Sequence, residues 1–129
     1  MRYQYTSDGY VNALKYNSYS GVVILLAINI TIFIILELLA RGNYELYSTL
    51  FYNLSLVPDD ISYTPNIVEQ FYPWQCLTYL FLHGGILHLV FNMLGLWFLG
   101  RDLENIWGKE NFLKYYLIVG IGAGLLTVL

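Results

Sequence analysis

Residues 74–108 read WQCLTYLFLHGGILHLVFNMLGLWFLGRDLENIWG, and this stretch decides the fold. From position 76 to position 100 its only strongly polar side chains beyond Thr78 are His83, His88 and Asn92. About 20 helical residues match a hydrocarbon core of roughly 30 Å, so residues 76–100 are long enough to cross a bilayer. Polar groups at membrane depth are costly and need a partner or a task. Four helical residues turn about 400°, which leaves His88 and Asn92 some 40° apart on one face and about 6 Å apart along the axis. Gly84 and Gly95 extend this small, polar stripe, while Leu, Val, Phe and Trp occupy the other sides. The stripe therefore invites a second helix to approach closely. His83, five residues before His88, is rotated about 140° away on a continuous helix. Gly84-Gly85 speaks against that continuity, and His83 is expected at a helix mouth near water.

Two further apolar runs flank this one. Residues 21–40, GVVILLAINITIFIILELLA, are again long enough to span, and residues 112–129 follow as a third segment. The fold class expected is an all-α, polytopic membrane helix bundle with spans at about 21–40, 76–100 and 112–129. Composition agrees: 57% of the 129 residues are hydrophobic and 12% are charged, against about a quarter charged in soluble domains. Mean hydropathy is +0.53. A net charge of −3 without any basic block argues against nucleic acid as a partner. The single cysteine, Cys76, excludes an internal disulfide and a cysteine-based zinc cluster.

The first run ends with Glu37 and Arg41 at helical ion-pair spacing, which lets both reach the interface. Asn29 lies deeper and is expected to bond a neighbouring helix. Residues 1–20 read as a polar, Tyr-rich tail outside the bilayer. Residues 42–75 are the longest connection. There Leu46, Leu50, Phe51, Leu54 and Leu56 mix with Tyr44, Tyr47 and Tyr52, a pattern for a short amphipathic helix lying in the interface. Pro58, Asp59 and Asp60 break it. Residues 101–111 read as a short charged turn. Gly120 and Gly124 form a small-xxx-small face for close packing. Basic residues favour the cytoplasm. The tail carries Arg2 and Lys15, and the second connection carries Arg101 and Lys109, with Lys114 just beyond. The long loop sets Arg41 against Glu45, Asp59, Asp60 and Glu69. The N-terminus is therefore expected to be cytoplasmic and loop 42–75 on the opposite side of the membrane.

Three readings of His88 and Asn92 stay open on spacing alone. Two converging N–H donors can hydrogen-bond a neighbouring backbone and only build structure. They can stabilise a developing oxyanion, where one donor is worth roughly 3–4 kcal/mol in the transition state. Thirdly, histidine pairs bind metal or haem, although Asn is a poor third ligand and no Asp, Glu or Cys cluster accompanies them. No cofactor or metal is expected.

The order of these residues resembles the rhomboid family of intramembrane serine proteases. Trp74 lies where the family has a Trp-Arg pair. His83, His88 and Asn92 match its histidine pair and H-x-x-x-N motif. Gly100, Glu104 and Gly108 match its glycine–glutamate–glycine pattern after the second helix. The resemblance implies six or seven membrane helices and a serine endopeptidase acting on transmembrane protein substrates within the lipid bilayer, through an acyl-enzyme. It implies a serine nucleophile in a G-x-S-G motif on the fourth helix and a histidine base on the sixth. His88 and Asn92 then become oxyanion stabilisers and His83 an active-site neighbour. Trp74, Gly100, Glu104 and Gly108 become structural.

Two departures stand out. Gln75 replaces the family's usual Arg, so an anchoring charge is missing. No serine follows Ser62 and no histidine follows His88, so nucleophile and base are absent. The expectation is therefore a partial rhomboid-like domain over 21–129, cut within the third helix and inactive by itself. The alternative is a non-catalytic rhomboid-like protein that binds membrane helices.

Overall fold

The computed structural model describes residues 20–56 and 71–128, and every element among them is helical. Helix α1 spans Gly21–Gly42, α2 spans Tyr44–Leu54 and α3 is the single turn Gln75–Thr78, continued by a 3₁₀ turn at Tyr79–Phe81. Helices α4 (Ile86–Trp107) and α5 (Lys109–Val128) complete the bundle. The sequence tail and the Pro58-Asp59-Asp60 break lie outside the described residues, apart from Ser20.

Helices α1, α4 and α5 are each long and apolar enough to cross a membrane. Their outer faces show why a bilayer is the solvent. Leu87, Phe91, Phe98 and Leu126 are 65–77% exposed. Water would penalise such contiguous apolar surface, whereas hydrocarbon does not. The chain is an integral membrane protein, a polytopic helix bundle.

The interior core is small. Val22, Leu25 and Phe112 are buried together, with Leu26, Phe81, Leu96, Leu103 and Leu113 packed around them. This cluster joins α1, α4 and α5 at the end where α1 begins. Gly100 lets the helices come that close: a Cβ there would sit 3.1 Å from Val22 Cγ2 and 3.2 Å from Phe112 Cζ.

Asn43 serves two helices at once. Its backbone N–H donates to the Leu39 carbonyl at 2.7 Å, closing α1. Its side-chain oxygen accepts from the Leu46 N–H at 3.0 Å, which caps the start of α2. Helix α2 buries no residue fully and carries an aromatic ladder of Tyr44, Tyr47 and Phe51, with centroids 5.8 and 5.6 Å apart. Those are the attributes of the interfacial helix read from residues 44–56. The Glu37–Arg41 pair forms at 3.8 Å between exposed side chains, a contact worth about 0–1 kcal/mol.

The helix boundaries differ from the sequence reading in two places. The run 76–100 is not one helix, because the chain opens at 82–85 and restarts with Gly85 as the N-cap of α4. Residues 101–111 are not a turn region either. Helix α4 continues to Trp107, α5 begins at Lys109, and Gly108 alone joins them, with φ +78°. Charged side chains at a membrane border reach water without unwinding the backbone, so charge there marked the border and not a loop.

Candidate active site

The site is assembled from a clamp, an anchor and a cleft. The clamp is Glu104. Its carboxylate accepts from Ser20 Oγ at 2.7 Å, from the Gly21 N–H at 2.6 Å and from the Val22 N–H at 3.0 Å. The first backbone N–H groups of a helix have no intrahelical acceptor, and the helix dipole favours negative charge there. A carboxylate from α4, 3% exposed, thus fixes the start of α1. Ser20 also accepts from the Val23 N–H at 3.5 Å as the N-cap. Ser20 was missed in the sequence, although a Ser immediately before an apolar run is the ordinary signal for an N-cap.

The anchor ties α3 to α2. The last carbonyls of a helix also lack partners. Those of α2 are met by α3 and the Trp74 that precedes it: Trp74 Nε1–H donates to the Asn53 carbonyl at 3.1 Å, and Thr78 Oγ1–H to that of Leu54 at 2.6 Å. Gln75 Nε2 reaches the Tyr52 and Asn53 carbonyls, each at 3.4 Å, while Gln75 Oε1 accepts from the Tyr72 N–H at 3.1 Å. Gln75 is 2% exposed. A neutral amide does here by hydrogen bonding what the sequence suggested a missing charge would leave undone. Trp74 also stacks on Tyr72, with centroids 4.4 Å apart.

Behind this anchor, α3 and the 3₁₀ turn pack on the glycine face of α5. A Cβ on Gly120 would enter the Leu80 side chain, and one on Gly124 would lie 2.8 Å from Tyr79 Cε1. Tyr79 Oη donates to the Gly120 carbonyl at 2.6 Å. The two glycines thus act in close packing, against the turn at 75–81.

Between this turn, α4 and α5 lies a cleft of about 460 Å³, lined among others by His83, His88, Asn92, Tyr115 and Tyr116. Gly95 lines it too, but Gly84 does not, so the polar stripe is shorter than the spacing suggested. His88 and Asn92 are one turn apart on the open side of α4 and both are exposed. Neither side chain forms a hydrogen bond among the described residues. Asn92 shares this with Asn105 of the same helix and differs from three other helical asparagines. The amides of Asn29, Asn53 and Asn111 each donate to the carbonyl four residues earlier in their own helix. Asn29 thus bonds α1 itself through its amide N–H, while Tyr116 of the neighbouring α5 faces the same side chain.

His83 sits in the break ahead of α4, 7% exposed. Its ring centroid is 5.3 Å from that of His88, in an edge-to-face arrangement. Burial first, and the adjacent His88 second, pull its pKa below the ordinary histidine value, which keeps it neutral at pH 7. The helix-mouth position expected for His83 is observed, but the residue is buried and not at the water surface.

Residues 70–129 match the family model described as Rhomboid domain. The chain is 43% identical over 56 residues to Rhomboid protease GluP of Bacillus subtilis, covering 43% of this chain and 11% of that protein. It is 40% identical over 63 residues to RHOMBOID-like protein 2 of Arabidopsis thaliana, covering 49% and 20%. Over 121 residues it is 23% identical to Rhomboid protease GlpG of Pectobacterium atrosepticum, covering 94% of this chain and 39% of that protein. The chain thus spans well under half the length of the curated relatives it matches. No solved structure gives a significant match. Glu104 of the clamp, the glycine face and the H-x-x-x-N cleft all lie within residues 70–129, the stretch that is similar to a Rhomboid domain.

Proposed function

We propose that this chain supplies the oxyanion-stabilising part of a rhomboid-type intramembrane serine endopeptidase. The observation that carries the reading is the pair of uncommitted donors, His88 and Asn92, facing one cleft from consecutive turns of α4. A peptide carbonyl entering the cleft would meet both. When a serine adds to its carbon, the oxygen becomes negative and takes the His88 ring N–H and the Asn92 amide N–H as donors. Such preorganised donors contribute about 3–4 kcal/mol each to the transition state. Residues 1–129 contain no serine after Ser62 and no histidine after His88. Nucleophile and base are therefore contributed by a segment other than these residues, and the chain alone leaves substrates uncleaved. The substrates are transmembrane proteins whose helix unwinds near the bilayer surface.

The test is a chimera in which residues 74–129 replace the matching segment of GluP, assayed on a model transmembrane substrate. Cleavage is expected, with kcat lowered about 10²–10³-fold by either His88→Ala or Asn92→Ala. Equal cleavage by the unsubstituted chimera and the double variant would overturn the assignment. An inactive chimera that still captures transmembrane helices would favour the helix-binding alternative.

Orientation is part of the same proposal. Ser20 meets Glu104, and Gly21 lies against Lys109 and Leu113, so the start of α1 and the α4–α5 junction share one end of the bundle. With Arg101, Lys109 and Lys114 there, that end is cytoplasmic. A cysteine at position 105 should be labelled only from the cytoplasmic side; labelling from outside contradicts it.

A further inference from the structure

We propose that His83 and His88 form a two-imidazole site for a borderline transition-metal cation, zinc(II) or copper(II). Imidazole is a preferred ligand of both metals. A tetrahedral cation with metal–nitrogen bonds of about 2.0–2.1 Å holds two imidazole centroids roughly 5 Å apart. The observed separation is 5.3 Å, with the ring planes inclined at 63°.

Three more observations point the same way. His83 Nδ1 is buried and has no hydrogen-bond partner among the described residues, a costly state that a metal bond would relieve. The Phe81 carbonyl lies beside the same imidazole, and a nearby backbone carbonyl is a usual device that orients a ligating histidine. His88 makes no hydrogen bond among the described residues, and both rings line the cleft, which has room for water to complete the coordination. No group of three or more His, Cys, Asp or Glu side chains suited to a metal occurs among the described residues. The protein therefore gives two ligands, and the site binds reversibly, without the permanence of a structural zinc.

This inference is independent of the catalytic reading. It has one consequence for it, since a His88 nitrogen bound to metal cannot also donate to an oxyanion. The chain holds two histidines in all, so every imidazole ligand it offers is at this site. That makes the test direct. The tag-free 129-residue chain in detergent micelles is titrated with copper(II) and followed by electron paramagnetic resonance, with and without ¹⁵N-histidine. One copper per chain is expected, with hyperfine structure from two imidazole nitrogens that changes on labelling and is unaltered by tenfold dilution. His83→Ala and His88→Ala should each reduce the pattern to one nitrogen and weaken binding at least tenfold. Cobalt(II), standing in for zinc, should develop the intense visible bands of tetrahedral coordination. A one-nitrogen pattern in the unsubstituted chain overturns the site without reliance on any variant. So does a two-nitrogen pattern lost on dilution, or copper binding undiminished in the double variant.

Discussion

Replacing Glu104 by Ala removes the acceptor for three donors at once. Two are backbone N–H groups, on Gly21 and Val22, and both residues are buried. Hydrogen bonds to a charged group are worth about 1.5–3 kcal/mol each, and a buried donor left unpaired costs a similar amount. The helix dipole adds up to about 2 kcal/mol when an anion at the N-terminus is partly buried. Water reaching the freed amides recovers part of this, so the expected loss is about 3–5 kcal/mol, the range found when one partner of a buried polar pair is removed. Glu104→Gln keeps one acceptor oxygen and should lose roughly half as much. Ser20→Ala removes only the hydroxyl and its cap, costing about 1 kcal/mol. Reversible unfolding of the chain in mixed micelles measures all three. Hydrogen exchange at the Gly21 and Val22 amides locates the effect, and both should exchange faster in Glu104→Ala. The double variant Ser20→Ala/Glu104→Ala should cost less than the two single losses together, because both residues act in one network. A Glu104→Ala chain within 0.5 kcal/mol of the unsubstituted one, with those amides still protected, would refute the clamp.

Other positions give sharper yes-or-no outcomes. Gly108→Val places a β-branched residue at φ +78° and should destabilise the chain by about 1–3 kcal/mol; the same unfolding assay reads it, and a neutral result contradicts the one-residue joint. Gly120→Val drives its side chain into Leu80 and should cost about 1–3 kcal/mol, partly restored by Leu80→Ala in a double-mutant cycle. No restoration would mean that the two do not pack.

How much of this was legible beforehand depends on the sequence distance over which each contact acts. The Glu37–Arg41 pair and the shared face of His88 and Asn92 are i,i+4 relations, which helix geometry alone dictates. The opening before α4 was legible in Gly84-Gly85, since two adjacent glycines weaken any helix. The clamp was not, because Ser20 and Glu104 are 84 residues apart and nothing local in either announces the other. Resemblance gave Glu104 a structural role but not its partners. The anchor was hidden for a different reason. Gln75 was read as a lost charge, whereas the helix end it caps presents neutral carbonyls, for which an amide donor suffices. The cleft needed three elements in place at once, so its lining tyrosines carried no signal of their own.

The joint at Gly108 bears on how the molecule comes together. With a single residue between them, α4 and α5 can hardly avoid meeting, and almost no chain entropy is lost when they do. The docking of α1 must instead close a span of 84 residues, at a cost that grows by about 0.6 kcal/mol with each doubling of length. The α4–α5 pair is therefore suited to enter the bilayer as one helical hairpin and to wait there as a template. The Glu104 carboxylate, already fixed on that template, offers the arriving end of α1 a ready place to stop. The order of assembly is thus written into one glycine and one acid four residues apart.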